Sequence, residues 1–224
     1  MHLVVLVQSL DIKKVNKIKK NLKAIIFDMD GTIALTTDLE LNCFVKLFGK
    51  NKKFYKKYFG PPSDKIISEL RPNFSFKQVR IFNHLWELLY TRKLKKNLWI
   101  SKKTINILKE LKKKYILGII TSSVRKTAII TLRDCYSVFD FLFCAEQQTK
   151  HKPNPDSLNK IMSQYKLKPK NVVYIGDNIN DILFGKNAKT KTIGKIDILY
   201  NKKQLQKCNP DLIITDLSEL ECLL

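Results

Sequence analysis

Residues Ala24–Thr32 read AIIFDMDGT, and the fold of the chain turns on how these nine residues are taken. Four apolar residues run into two aspartates one residue apart, followed by Gly31 and Thr32. A short run with no polar interruption predicts a strand buried on both faces. Its end then delivers Asp28 and Asp30 to one point, although burying carboxylates is costly unless something compensates. Such a strand end suggests a site that needs negative charge.

Outward from this stretch, apolar runs at Ile116–Thr121, Phe141–Cys144 and Val172–Ile175 predict further strands. Weaker ones lie at Lys191–Ile193 and Leu212–Ile214. Helical patterns at Lys102–Lys114, Arg125–Asp134, Pro155–Tyr165 and Asp181–Asn187 alternate with them. That alternation predicts an α/β fold, a Rossmann-like three-layer core whose parallel sheet is covered by helices on both faces. Sites in such folds lie beyond the carboxyl ends of the strands.

The stretch Leu39–Ile100 breaks the rhythm. It has no convincing strand, but helical patterns at Leu39–Phe48, Lys52–Phe59, Asp64–Leu70 and Phe76–Leu94, with breaks at Gly60–Pro62 and Arg71–Phe76. It holds 12 of the 22 aromatic residues, which are expected to form its own core. The division expected is therefore an N-terminal extension at 1–23, an α/β core at 24–36 and 101–224, and an inserted helical cap at 37–100. The extension carries a short basic helix, Ile12–Leu22, with Val15, Ile18 and Leu22 on one face.

Composition narrows the function. The 224 residues are 44% hydrophobic and 28% charged, an ordinary globular balance. No apolar run is long enough for a membrane span, and the N-terminus lacks the basic lead-in and cleavage site of a signal peptide. The five cysteines are scattered without a CxxC pair, which reads as free thiols of a cytoplasmic protein. The net charge of +22 raises nucleic acid as a partner. The lysines, however, fall in dispersed runs with no recognition pattern, so a solvated basic surface is expected and no nucleic acid.

Each predicted strand end carries a polar residue. To Asp28, Asp30, Gly31 and Thr32 are added Thr121 and Ser122, then Lys152 in KHKPNP, then Asp177 and Asp181 in GDNIND. Converging carboxylates raise one another's pKa unless a cation intervenes, and Mg2+ is the natural hard, oxygen-seeking ion. A lysine, hydroxyls and the Gly31 amide suit an anion beside it, and phosphate fits both halves. Thr121 and Ser122 are also able to cap the helix near Arg125, and Asp181 to cap its own helix.

These motifs resemble those of the haloacid dehalogenase (HAD) superfamily with a helical cap after the first strand. DMDGT is similar to the first motif, Thr121 to the second, with Ser122 where many members have Asn, Lys152 in KPNP to the third, and GDNIND to the fourth. Lys189 departs from the pattern, standing where relatives usually have Gly at a helix end. The resemblance implies Asp28 as nucleophile, Asp30 as acid and base, and Mg2+ held by Asp28, Asp177 and the backbone carbonyl of Asp30. It implies Thr121, Ser122, Gly31 and Lys152 around the phosphate, with Asp181 in support.

The implied activity is hydrolysis of a small phosphorylated anionic substrate. Likeness to phosphoglycolate phosphatases puts 2-phosphoglycolate first, and likeness to PpaX-type pyrophosphatases makes inorganic pyrophosphate the alternative. A sugar-phosphate mutase and a non-catalytic partner-binding relative follow well behind. Lys65, Arg71 and Arg80 are the cap candidates for holding an acidic leaving group, but in so basic a stretch each is expected to be solvated rather than a ligand. Monomer and homodimer stand equally open.

Overall fold

A computed structural model describes residues 12–223. Six strands form one parallel sheet: β1 (Ala24–Phe27), β2 (Ile116–Ile120), β3 (Phe141–Phe143), β4 (Val172–Gly176), β5 (Lys191–Lys195) and β6 (Leu212–Ile214). Their order is β3-β2-β1-β4-β5-β6. The first strand in the chain thus lies inside the sheet, and Phe27 pairs with Ile119 on one side and Ile175 on the other. The three strands end side by side where the strand order reverses, which is where a parallel sheet opens a crevice.

The helices are α1 (Ile12–Lys19), α2 (Thr37–Phe48), α3 (Lys52–Tyr55), α4 (Ser63–Leu70), α5 (Phe76–Leu94) and α6 (Lys102–Lys112). They continue as α7 (Arg125–Leu132), α8 (Asp156–Gln164), α9 (Ile179–Asn187), α10 (Lys202–Gln206) and α11 (Leu220–Leu223). Side chains alternate across the sheet, so each face has its own apolar layer. Ile25, Phe27, Ile119 and Ile175 pack with Ile107 and Leu111 of α6, Ala128 and Leu132 of α7, and Ile18 of α1. Ala24, Ile26, Ile120 and Tyr174 pack with Leu158 and Ile161 of α8 and Phe184 of α9. This is the three-layer arrangement expected.

Helices α2–α5 carry a third cluster, in which Phe44, Tyr55, Phe59, Ile67, Trp86 and Tyr90 are all buried. Trp86 stacks on Tyr90 at 4.8 Å and lies 5.3 Å from Phe44, so the aromatic residues form a core of their own. The start of α5 is fixed by a capping box: Ser75 accepts from the Gln78 amide while the Gln78 side chain accepts from the Ser75 amide. The segment touches the sheet's end, where Lys56 Nζ donates to the Ile198 carbonyl at 2.7 Å.

Several boundaries differ from the pattern. Helix α7 stops at Leu132 because Arg133 takes a left-handed φ of 43°, and a 3-10 turn follows to Val138. Strand β5 runs two residues beyond Ile193, since the backbone ladder needs no apolar side chain to continue. Helices α10 and α11, five and four residues long, are too short to show a period. Lys189 does sit at a helix end with φ 61°, the left-handed position that glycine fills without strain. Of the five cysteines, all free, Cys43, Cys135 and Cys144 are buried. No described helix is long and apolar enough to cross a membrane. Part of the N-terminal extension, residues 1–11, lies outside the described residues.

Candidate active site

The site is built from the residues directly after β1, β2 and β4. The Asp28 amide still belongs to the sheet, donating to the Ile175 carbonyl at 2.8 Å, which fixes where its side chain leaves the strand. Asp28 is 6% exposed and ion-paired to Lys152. The same ammonium bonds Asp181 at 2.7 Å and the Tyr174 hydroxyl at 3.0 Å. Burial would lower the Lys152 pKa, but Asp181 and Asp28 hold it well above the usual lysine value. Burial, reinforced by Asp181 and Asp30, pushes Asp28 up to about 7 in spite of Lys152. One cation is serving more than one carboxylate.

Asp30, two residues on, meets different neighbours. Its Oδ1 accepts from Thr36 at 2.6 Å and Tyr90 at 3.1 Å, and its Oδ2 from Ser123 at 2.7 Å. Burial raises its pKa, and the three hydroxyl bonds oppose that rise. Tyr90 also donates to Glu40 Oε1 at 3.3 Å, tying α5 and α2 to the strand end. Burial, then Asp30, drives Glu40 well above the usual carboxylate range.

Asp177 follows β4, is 2% exposed, and accepts from the Thr32 hydroxyl at 3.0 Å. Gly31 is needed beside it: its φ is +81°, and a Cβ there would lie 2.5 Å from Asp177 Oδ2. The Gly31 amide donates to the Ala34 carbonyl at 2.8 Å, which corrects the expectation that this N–H faces an anion. The turn after β1 closes on itself, and close packing is what Gly31 supplies. Asp181 caps its own helix and also meets Lys152. Its Oδ2 accepts from the Asn178 amide in a capping box at the start of α9, and its Oδ1 takes Lys152.

After β2, Thr121 is buried, and its Oγ1 accepts from the Ser123 amide at 3.0 Å. Ser122 lines the cleft, but its hydroxyl reaches the Gly60 carbonyl of the helical segment at 3.4 Å. Ser123 is the serine that touches Asp30. Sequence reasoning missed it along with Thr36, Tyr90 and Tyr174. The Thr-Ser-Ser run and the second half of ALTTD held the signal for two of these; the tyrosines gave none.

The donor set can be tested against a metal. Asp28, Asp177 and Asp181 each offer an oxygen, and these lie within 4.8 Å of one another. Three carboxylates face one ammonium, and burial together with Asp181 and Asp28 drives Asp177 far above the usual range. An all-oxygen cluster with surplus negative charge fits a hard divalent cation. Asp28 and Asp177 are the fitting pair, because both Asp181 oxygens are already bonded.

A model of haloacid dehalogenase-like hydrolases matches residues 25–195, well over half of the chain. The chain belongs to that family. Pyrophosphatase PpaX of Anoxybacillus flavithermus is 28% identical over 211 residues, covering 89% of this chain and 95% of that protein. Among solved structures, CbbY of Rhodobacter sphaeroides in complex with phosphate aligns with a TM-score of 0.79 at 16% identity, over 89% of this chain and 96% of that one. A predicted phosphoglycolate phosphatase from Haemophilus somnus aligns at 0.78 and 18% identity, over 91% and 98%. The two structures share the fold. Family, phosphatase-named relatives and site chemistry together make the chain a HAD-like phosphatase.

Proposed function

We propose that the chain is a Mg2+-dependent phosphomonoester hydrolase that works through an aspartyl-phosphate on Asp28. The observation that carries this reading is the contrast between two carboxylates two residues apart. Asp28 is paired with the Lys152 ammonium, whereas Asp30 is hydrogen-bonded by three hydroxyls and by no cation among the described residues.

In this reading an Asp28 oxygen attacks phosphorus and the bond to the leaving oxygen breaks. Asp30, protonated at the outset, gives its proton to that oxygen, and its carboxylate then takes one from the water that attacks the aspartyl-phosphate. The second attack breaks the bond from phosphorus to Asp28 and restores the carboxylate. Lys152 and Thr121 steady the nonbridging oxygens, and Asp181 positions Lys152. Asp28, Asp177 and the backbone carbonyl of Asp30 would hold Mg2+, which offsets charge between nucleophile and phosphate. Helical residues 37–100 act as a cap over this strand end, and core segments 24–36 and 101–224 supply the chemistry. A cytoplasmic location completes the proposal.

The motif resemblance brings forward 2-phosphoglycolate, and the relatives named pyrophosphatase PpaX bring forward inorganic pyrophosphate. Both carry a second anionic group on the departing side. The primary test is hydrolysis of p-nitrophenyl phosphate with Mg2+ by wild type and Asp28→Asn. Activity that depends on Mg2+ and disappears in the variant is expected; an inactive wild type or an unaffected variant would sink the reading.

A further inference from the structure

The cleft over the strand ends has a volume of about 360 Å3 and is roofed by α2, α4 and α5. Charge is sorted across it in a way the composition does not predict. The stretch Leu39–Ile100 carries 14 Lys and Arg against 4 Asp and Glu. Three of those four acids, Glu40, Asp64 and Glu87, line the cleft, and none of the 14 bases does. Arg71 and Arg80 stand over the rings of Phe48 and Phe76, at 5.3 and 5.9 Å. Lys65, the remaining candidate of the three, is not in the lining either. Among the described residues the lining's one Lys or Arg is Lys152, engaged by Asp28 and Asp181.

The polar groups of the roof point the same way. Ser63 donates to Asn83 at 2.6 Å and Asn83 to Glu87 at 3.0 Å, a chain that ends on a carboxylate. Trp86, also in the lining and 8% exposed, has a buried indole Nε1 without a hydrogen-bond partner among the described residues. Ionised carboxylates only accept hydrogen bonds, and they repel a nearby anion. A hydroxyl or ammonium group suits this roof, because it donates to a carboxylate.

Resting on the phosphomonoesterase reading, we infer that the departing half of the substrate carries hydrogen-bond donors and no second negative charge. The substrate class is a polyol or amino-alcohol phosphomonoester, ahead of a carboxylate-bearing phosphate or a pyrophosphate. Glu87, with Asp64, sets that preference.

The experiment measures phosphate release by the full chain with Mg2+ on glycerol 1-phosphate, phosphoethanolamine, 2-phosphoglycolate, inorganic pyrophosphate and p-nitrophenyl phosphate. At least one of the first two should exceed both 2-phosphoglycolate and pyrophosphate in kcat/KM by about tenfold, the scale of one nearby charge in a partly screened site. Which of the two leads separates a hydroxyl from an ammonium source. Glu87→Lys should shrink the ratio by about tenfold, and Glu87→Gln should move it the same way by less. A lead for 2-phosphoglycolate or pyrophosphate, or a ratio unmoved in both variants, overturns the inference while leaving the hydrolase intact. No release from p-nitrophenyl phosphate removes the hydrolase reading itself.

Discussion

Replacing Lys152 with Met would expose how much the strand end depends on a single ammonium. The Lys152 side chain is 4% exposed, and its partners Asp28 and Asp181 are 8% and 0% exposed. Removing one member of a buried ion pair costs about 3–5 kcal/mol, because the charge left behind is desolvated and unpaired. Here two carboxylates lose the same partner, so the loss should sit in the upper part of that range at pH 8 in EDTA. For 224 residues, an unfolding entropy of about 2.1 cal/mol/K per residue makes this a fall in Tm of roughly 8–10 °C. At pH 5 the penalty should be smaller by about 1–2 kcal/mol, because Asp28, pushed up to about 7 even beside Lys152, is then protonated and only the Asp181 partner is left without its ammonium. Urea unfolding at both pH values measures this. In an Asp181→Asn background the Lys152→Met penalty should fall by at least about 1 kcal/mol, since one of the two stranded charges is gone. A loss below about 1 kcal/mol at pH 8, or an equal loss at both pH values, would refute the reasoning.

Mg2+ should raise Tm, and by more at pH 8 than at pH 5. Burial raises Asp28, Asp30 and Asp177, so the folded protein binds their protons more tightly than the unfolded chain and loses stability as pH climbs from about 4 to 7 without a cation; thermal scans showing equal stabilisation at both pH values would count against the metal pair. Tyr90→Phe removes one of three donors to Asp30, and a roughly fivefold drop in kcat is expected, with the pH–rate profile moved upward because that bond lowers the Asp30 pKa. An unchanged rate and profile would show Tyr90 to be packing alone. Lys189→Gly should stabilise the protein by about 0.5–1 kcal/mol in denaturant titration, since a side chain at φ 61° carries strain that glycine lacks; a destabilised variant would mean that the lysine makes up for its backbone.

How much of this was legible depended on whether a feature was local. Asp28 and Asp30 were visible because a buried strand ends flush against them, and Asp177 because it closes another such run. Alternating strands and helices then implied a parallel sheet with its site at the strand ends. Contacts made by long-range packing were not visible. Tyr90 lies 60 residues from Asp30 and reaches it only because α5 folds back over β1. The choice between Ser122 and Ser123 depends on which way each residue points after β2 ends, and the turn sends Ser122 toward Gly60 and Ser123 toward Asp30. Gly31 was found for the wrong reason: its amide closes the turn on Ala34, and its missing Cβ makes room for Asp177. Charge sorting over the helical segment was hidden as well, because composition counts residues without saying which of them face the cleft.

The central claim is that Asp28 carries the phosphoryl group between two half-reactions. Acid quenching of the enzyme during turnover of p-nitrophenyl phosphate, followed by peptide mass spectrometry, tests it directly. One phosphoryl group is expected on the peptide containing Asp28, present only with Mg2+ and absent from Asp28→Asn. Full turnover with no phosphorylated peptide in repeated quenches, or a phosphoryl group on another residue, would contradict it.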